Sequence, residues 1–235
     1  MRKIFFFLSL SLWMITSEAV VIDQSYNSPQ VGFYASVSGI QQAQTFTVGV
    51  NGFLSGVSLD LFSSTSPFTP DPLQFYIIDT ENGLPINNYS NPLAYKQFDV
   101  SEVPAENTAT GNSFFIDVSN QNIEVSIGDV LAVAVFTNDT DDIIDYWWVG
   151  GTTDEGYSGG KSLFRKEGMT IDYGIYGIVD YTDWGPNILY SDATRGDGDF
   201  NFTTYVKPSN VPIPQTFWLF GSCVFCLIRL IKRKT

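Results

Sequence analysis

The chain has 235 residues, 44% of them hydrophobic, and a formal net charge of −13, with two cysteines and no histidine. Without histidine, Ser-His-Asp and Cys-His nucleophile systems and histidine-based metal sites are excluded. The negative charge excludes nucleic acid as a partner, because nucleic acid is itself an anion.

The first nineteen residues have the order of a secretory signal peptide. Arg2 and Lys3 form a positive n-region, residues 4–15 form an apolar h-region, and Ser17-Glu18-Ala19 places small residues where a signal peptidase reads them. A transmembrane anchor is the alternative, but the h-region is short and the cleavage site argues against it. We predict that residues 1–19 are a signal peptide and that cleavage follows Ala19.

The body of the chain, residues 20–206, has apolar residues with a period of two rather than 3.6. Six segments of this kind predict strands: residues 43–48, 53–62, 73–79, 113–118, 130–137 and 200–206. The segment 130–137 is apolar on both faces, which predicts a central strand. Turns rich in Ser, Pro, Asn and Gly separate the strands, and no amphipathic helix of ten residues occurs in the body. The pattern predicts an all-β sandwich, and among sandwiches a jelly roll.

The end of the chain, residues 211–235, reads VPIPQTFWLFGSCVFCLIRLIKRKT and contains both cysteines, so no disulfide supports the body. Pro212 and Pro214 keep the backbone extended. The apolar run that follows would span about 22 Å as a helix, against a hydrocarbon core of about 30 Å, and Arg229 can snorkel to the headgroups. A buried amphipathic helix is the alternative, but residues 217–228 show no polar stripe.

These features divide the C-terminal part into two functional segments. We predict a spacer and sorting motif over residues 207–214, and a short transmembrane helix with a basic, cytoplasmic tail over residues 215–235.

The order of Val211-Pro212-Ile213-Pro214, an apolar helix and a basic cluster resembles the PEP-CTERM sorting signal in its Val-Pro-Leu-Pro-Ala variant. The resemblance implies an exported bacterial protein that is first anchored in the inner membrane. An exosortase-like enzyme would then process it for the cell surface or the extracellular biofilm matrix, alongside the signal peptidase. The logic parallels the GPI signal, whose hydrophobic tail is also removed.

The body more loosely resembles galactose-binding-like jelly-roll domains. The matching stretches are QTFTVG at residues 44–49, GFLSGV at 52–57, VSIGD at 125–129, GYSGG at 156–160 and DFNFTTYV at 199–206. The resemblance implies a β-sandwich of a kind that often binds sugar, without specifying which sugar.

Acidic residues dominate the body. Six of the 12 basic residues but only one of the 25 acidic residues lie in the two targeting segments, so residues 20–214, the body with its spacer, carry a net charge of −18. Two clusters are candidates for calcium, which prefers oxygen ligands; solvated acidic turns are the alternative for both. The candidate calcium ligands are Asp139, Asp141, Asp142 and Asp145 in one cluster and Asp197 and Asp199 in the other.

Aromatic residues are concentrated in the second half of the body, where exposed rings would form a platform for sugar. The candidate ligand-binding residues are Trp147, Trp148, Tyr157 and Trp184. Packing in the sandwich core is the alternative for each of them.

Three functions follow from these observations. The first is an exported, non-catalytic surface or matrix protein with a structural or adhesive role. The second is a carbohydrate-binding module for exopolysaccharide. The third is a secreted glycan-active enzyme that uses two carboxylates, of which the body offers many pairs.

Overall fold

The computed structural model describes residues 19–27, 33–36, 41–63, 71–86, 91–104, 113–137, 147–151, 156–165, 170–172, 178–180, 185–186 and 199–209. These residues form β-strands and the loops between them, apart from one 3-10 turn at Ser119–Gln121. Strands are numbered β1 to β16 in chain order.

The first of two large antiparallel sheets is built around β4, a strand of twelve residues. The path across it runs β1 (Val21–Tyr26), β16 (Phe202–Pro208), β4 (Gly52–Ser63), β11 (Trp147–Gly151) and β2 (Phe33–Ser36), and β8 (Ser113–Asp117) and β9 (Ile123–Val125) also pair with β4. Between β4 and β16 the register shifts, because Tyr205 lies opposite Gly56 whereas Val206 lies opposite Leu54. Ser55 is therefore the extra residue of a β-bulge.

The second large sheet has β10 at its centre. Its path runs β15 (Gly185–Pro186), β12 (Ser162–Arg165), β3 (Gln41–Thr47), β10 (Val130–Phe136), β5 (Leu73–Glu81) and β6 (Leu84–Pro85), and β7 (Ala94–Phe98) also pairs with β5. A separate two-stranded ladder joins β13 (Thr170–Asp172) to β14 (Ile178–Asp180).

One apolar cluster draws residues from both large sheets, and this makes them the two layers of a sandwich. From the first sheet it takes Val57, Leu59, Leu61 and Phe202, and from the second Phe46, Phe75, Val133 and Val135. Each of these side chains is at most 1% exposed. Complete burial of one such side chain contributes about 1.5–3 kcal/mol, so the shared interior is the main source of stability.

The central strand β10 is buried on both faces, as the sequence predicts. Leu131, Val133 and Val135 belong to the cluster between the sheets. Ala134 and Phe136 point to the opposite face, where they form a second buried cluster with Tyr76 and Leu163. The rings of Tyr76 and Phe136 are stacked there, with centroids 5.3 Å apart and 3° between their planes.

All six predicted strands are present, as β3, β4, β5, β8, β10 and β16, and the all-β prediction is confirmed. The last strand begins two residues later than predicted, at Phe202, and continues to Pro208.

The first and last strands are hydrogen-bonded neighbours, with Val21 opposite Val206. The chain therefore enters and leaves the described body at the same end of the first sheet.

Candidate functional site

Asp199 lies just before β16 and is only 2% exposed. Its Oδ1 accepts a hydrogen bond from Gln44 Nε2 at 3.1 Å, and its Oδ2 accepts hydrogen bonds from the backbone N–H groups of Gly156, at 3.2 Å, and Tyr157, at 3.0 Å. A buried carboxylate is stable only when hydrogen bonds of this kind replace its water. The contacts therefore favour a structural role for Asp199 over the calcium role predicted from the sequence.

Gln44 holds this arrangement in one orientation. Its side chain points inward from β3 and is fully buried. While its Nε2 donates to Asp199, its Oε1 accepts a hydrogen bond from the backbone N–H of Phe200 at 2.9 Å. One side chain of the second sheet thus fixes the segment that leads into the last strand of the first sheet. Exchanging the amide oxygen and nitrogen would break both hydrogen bonds.

Tyr157 is half-buried at the edge of the core. Its ring meets Phe202 edge-on, with centroids 4.9 Å apart, and lies 6.3 Å from the ring of Tyr26. Its hydroxyl donates a hydrogen bond to Gln24 Oε1 at 3.2 Å. Burial, with the nearby carboxylates of Asp23 and Asp199, raises the pKa of Tyr157 to about 12. Of the two alternatives for this aromatic, the contacts favour packing over an exposed platform.

Asp23 joins the same region to the first strand. It lies at the irregularity in the pairing between β1 and β16, and its carboxylate accepts hydrogen bonds from Gly49 N at 2.8 Å and Thr204 Oγ1 at 3.3 Å. Burial raises the pKa of Asp23, although those hydrogen bonds act in the opposite direction.

The other predicted site residues lie at the margin of the described residues or outside them. Ala19 is exposed, two residues before β1. The backbones of Trp147 and Trp148 belong to β11, opposite Ser63 and Phe62 of β4, but their side chains are outside the described part. The residues wholly outside it are Trp184, Asp139, Asp141, Asp142, Asp145, Asp197, Val211, Pro212, Ile213 and Pro214.

Two absences concern the described residues alone. Within them, no group of three or more acidic or cysteine side chains is arranged to hold a metal ion. Among the same residues, no helix has the length and apolar character needed to cross a membrane. The predicted transmembrane segment 215–235 is not among them.

The outer face of the first sheet carries an aromatic pair, one ring exposed and the other half-buried, that is not among the site residues predicted from the sequence. Phe115 of β8 is 53% exposed, and its ring meets Tyr205 of β16 at 5.4 Å with 81° between the planes. Between their strands lies Gly56 of β4, where an added Cβ would overlap the ring of Phe115. The glycine therefore allows the ring to lie down on the sheet. The alternation in SFFID, residues 113–117, already assigns Phe115 to the face of Ser113 and Asp117 rather than to the core face.

Hydroxyl and amide groups continue this face toward β1. Ser25, Thr203, Ser58 and Phe115 lie directly opposite one another on four successive strands. The Ser25 and Thr203 hydroxyls are 3.0 Å apart, and Asn27 Nδ2 donates to both, at 2.8 and 3.2 Å. The Tyr205 hydroxyl lies 3.4 Å from Ser58 Oγ. We call these residues the outer strip: Ser25, Asn27, Ser58, Phe115, Thr203 and Tyr205.

A polar cleft of about 640 Å³ opens at the end of the sandwich where the chain enters and leaves. It lies between the β5–β6 turn and the segment that joins β8 to β9. Its lining includes the carboxylates of Asp79, Glu124 and Asp129 and the amides of Asn82 and Asn122, and no aromatic ring. Asp129 Oδ2 accepts the backbone N–H of Ser126 at 2.7 Å, which closes the turn before β10.

Comparisons with known proteins do not assign the chain to a family. No protein-family model matches the sequence, and no curated protein is significantly similar to it. A solved structure of the clostridial cysteine protease Cwp84 after propeptide cleavage aligns with 81% of this chain at 16% identity and a TM-score of 0.45. A structure of the cysteine protease and lectin-like domains of Cwp84, a surface layer associated protein of Clostridium difficile, aligns with 72% at 16% identity and a TM-score of 0.41.

This chain corresponds to only 40% and 32% of those two chains. At such identities and TM-scores, no activity is transferred from them.

Proposed function

We propose that the protein is an exported, non-catalytic surface or matrix protein with a structural or adhesive role. The observation that carries this proposal is the position of the terminal strands. The hydrogen-bonded body begins at Val21 and ends at Pro208, and Ser209 makes one further backbone hydrogen bond to Asn51. Cleavage after Ala19, and a second cleavage at the motif that starts with Val211, would leave every strand intact.

The proposal includes the targeting segments predicted from the sequence. Residues 1–19 direct export and are removed by a signal peptidase. Residues 215–235 hold the precursor in the inner membrane as a helix with a basic cytoplasmic end. An exosortase-like enzyme then acts at residues 211–214, which releases a body with jelly-roll topology. Val21 pairs with Val206, so the described chain begins and ends at one end of that body, which supports processing on both sides of it.

Intact-mass measurement of the protein in cells and in the medium tests this proposal. The released form is expected to start near Val20 and to end within residues 211–215. A variant with both Pro212→Ala and Pro214→Ala is expected to keep its tail and stay in the membrane fraction. A matched control, Pro208→Ala, changes a proline outside the motif and should be processed normally. Released protein that always retains residues 217–235 would contradict the sorting proposal.

The outer strip favours a second candidate function, that of a carbohydrate-binding module. Sugar sites combine an exposed ring, which stacks on the apolar face of a sugar, with hydroxyl and amide groups that meet its hydroxyls. Phe115 and Tyr205 offer the rings, and Ser25 and Asn27 offer exposed polar groups on the same face of the sheet. A screen of the full-length protein on an array of neutral and acidic glycans tests this candidate, which predicts binding to at least one neutral glycan.

A further inference from the structure

The outer strip has a direction, because four of its six members occupy one row across four strands. Ser25, Thr203, Ser58 and Phe115 follow one another on β1, β16, β4 and β8. Neighbouring strands are about 4.8 Å apart, so the row is about 14 Å long. A straight polymer lying across the strands would contact polar groups at one end and the ring of Phe115 at the other.

The strip is also electrically neutral, although residues 20–214, the body with its spacer, carry a net charge of −18. None of its six residues is an aspartate, glutamate, lysine or arginine. The acidic residues in the two neighbouring rows are Asp60, which lies opposite Ser113 and is 6% exposed, and Asp117, which lies opposite Gly56. Hydrogen bonds from Ser119 lower the pKa of Asp117, so this carboxylate is ionised at neutral pH and repels anions.

The polar groups of the strip are already linked in a way that suits a polyhydroxyl ligand. Asn27 Nδ2 binds both Ser25 Oγ and Thr203 Oγ1, so these three side chains are held together before any ligand arrives. Ser25 and Asn27 are exposed, whereas Thr203 and Ser58 are each 6% exposed and form the floor. Groups ordered in advance lose less entropy on binding.

We propose that the outer strip binds an unbranched, neutral polysaccharide across strands β1, β16, β4 and β8, with Phe115 as the stacking ring. This proposal rests on the carbohydrate-binding function above and assigns that function a place and a ligand class. Gly56 is part of the site because its lack of a side chain lets the ring of Phe115 lie along the sheet. The strip differs from the aromatics near Trp147, Trp148 and Trp184 that the sequence indicates.

Native affinity electrophoresis of the full-length protein in a sugar-free nonionic detergent tests the proposal. The gels contain hydroxyethylcellulose, mixed-linkage β-glucan or pullulan as unbranched neutral glycans, or alginate as an acidic one. We expect at least one neutral glycan to retard the wild type and alginate to retard it less. Phe115→Ala should bind about tenfold more weakly, as expected for loss of one ring contact, while Phe115→Trp retains binding.

Tyr95→Ala is the matched control. Tyr95 is 43% exposed and its ring lies 4.9 Å from that of Tyr76, so it is a similarly exposed, similarly packed aromatic on the second sheet. The Tyr95→Ala variant should bind the glycans as tightly as the wild type does. Thermal melts of all variants establish that each is folded.

Each unfavourable outcome overturns a different part. Equal binding by wild type and folded Phe115→Ala overturns the outer strip and leaves the carbohydrate-binding function standing. Tighter binding to alginate than to every neutral glycan overturns the ligand class. If none of the glycans retards the wild type, both the strip and the carbohydrate-binding function are rejected.

Discussion

Replacing Asp199 with alanine is expected to destabilise the body severely. The substitution removes an acceptor from three donors: Gln44 Nε2, Gly156 N and Tyr157 N. The two backbone groups lie in partly exposed positions where water can replace part of the loss, whereas Gln44 is fully buried. Gln44 Nε2 keeps one other hydrogen bond, to Thr45 O at 3.1 Å. An unsatisfied buried donor costs about 1–3 kcal/mol, so the three losses together amount to about 3 kcal/mol.

For a domain of this size, about 3 kcal/mol corresponds to a fall in Tm of about 6–12 °C. Asp199→Asn should also destabilise, because its amide places a donor against either Gln44 Nε2 or the two backbone N–H groups. Gln44 is unable to turn over in response, since its Oε1 is needed by Phe200 N. Asp117→Asn is the control: Asp117 is exposed and accepts the N–H of Ser119, so water replaces the loss and the effect stays below about 1 kcal/mol.

Thermal melts of the full-length wild type, Asp199→Ala and Asp199→Asn, in millimolar calcium and in chelator, decide between the two roles of Asp199. A structural carboxylate predicts the same fall in Tm under both conditions. A calcium ligand predicts that calcium raises the Tm of the wild type and that Asp199→Ala abolishes this rise. A Tm for Asp199→Ala within about 2 °C of the wild type would refute the reasoning from the three hydrogen bonds.

Three further predictions concern the same end of the core and its neighbours. Tyr157→Phe should lower the free energy of unfolding by about 0.5–1.5 kcal/mol at pH 8, because it removes the hydrogen bond to Gln24. The pKa of Tyr157 is about 12 in the folded state and 10.0 in the unfolded state, so the stability of the wild type falls as the pH rises between these values. The difference between variant and wild type should therefore shrink above pH 10. Denaturant titrations at pH 8 and pH 11 measure this, and a constant deficit would contradict it. The pKa of Asp23 is raised in the folded state, so its contribution to stability is complete below pH 3.8 and is lost as the pH rises. The Tm of Asp23→Asn minus the Tm of the wild type should therefore increase from pH 4 to pH 7. A decrease over this range would contradict the raised pKa. In Gly160→Ala the new Cβ would overlap the backbone carbonyl of Thr45, so the Tm of this variant should fall. In Gly83→Ala the new Cβ meets no atom within 4 Å, and the Tm should fall less, because only the φ of +76° disfavours alanine there.

The strands that the sequence predicts are those whose apolar residues recur at every second position or, as in β10, occupy both faces. In β4, Val57, Leu59 and Leu61 share the core face, and in β10 both faces are apolar, so local pattern and tertiary environment agree. Strand β1 was not predicted, because VIDQSY carries three polar residues between its apolar ends and the pairing is irregular at Asp23. It is a strand because β16, about 180 residues away, supplies its partners. A single-sequence pattern contains no information on such a pairing.

The role of Asp199 depends on contacts of the same kind. In the sequence Asp199 follows Gly198 in the stretch GDGDF, residues 196–200, which fits a calcium loop as well as a structural turn. What distinguishes them is a glutamine 155 residues away that presents its amide nitrogen to one carboxylate oxygen. Tyr157 is similar: GYSGG places an aromatic in a turn, and only Phe202 and Gln24 make that ring part of the core edge.

The outer strip shows which part of a site a sequence contains and which part it lacks. In residues 113–117 the apolar face is set by Ile116, so Phe115 must share a face with Asp117, and an aromatic on a polar face indicates a contact surface. The neighbours of Phe115 are not predictable in this way. Gly56 lies near Phe115 because of the register between β4 and β8, and Tyr205 lies near it because of the register between β4 and β16, which has a bulge at Ser55. Had that bulge been absent, part of the pairing of β4 with β16 would be shifted by one residue, and Tyr205 and Val206 would not both keep their present partners. The exposed ring is therefore predictable from alternation, whereas the surface on which it lies is a property of the folded sheet.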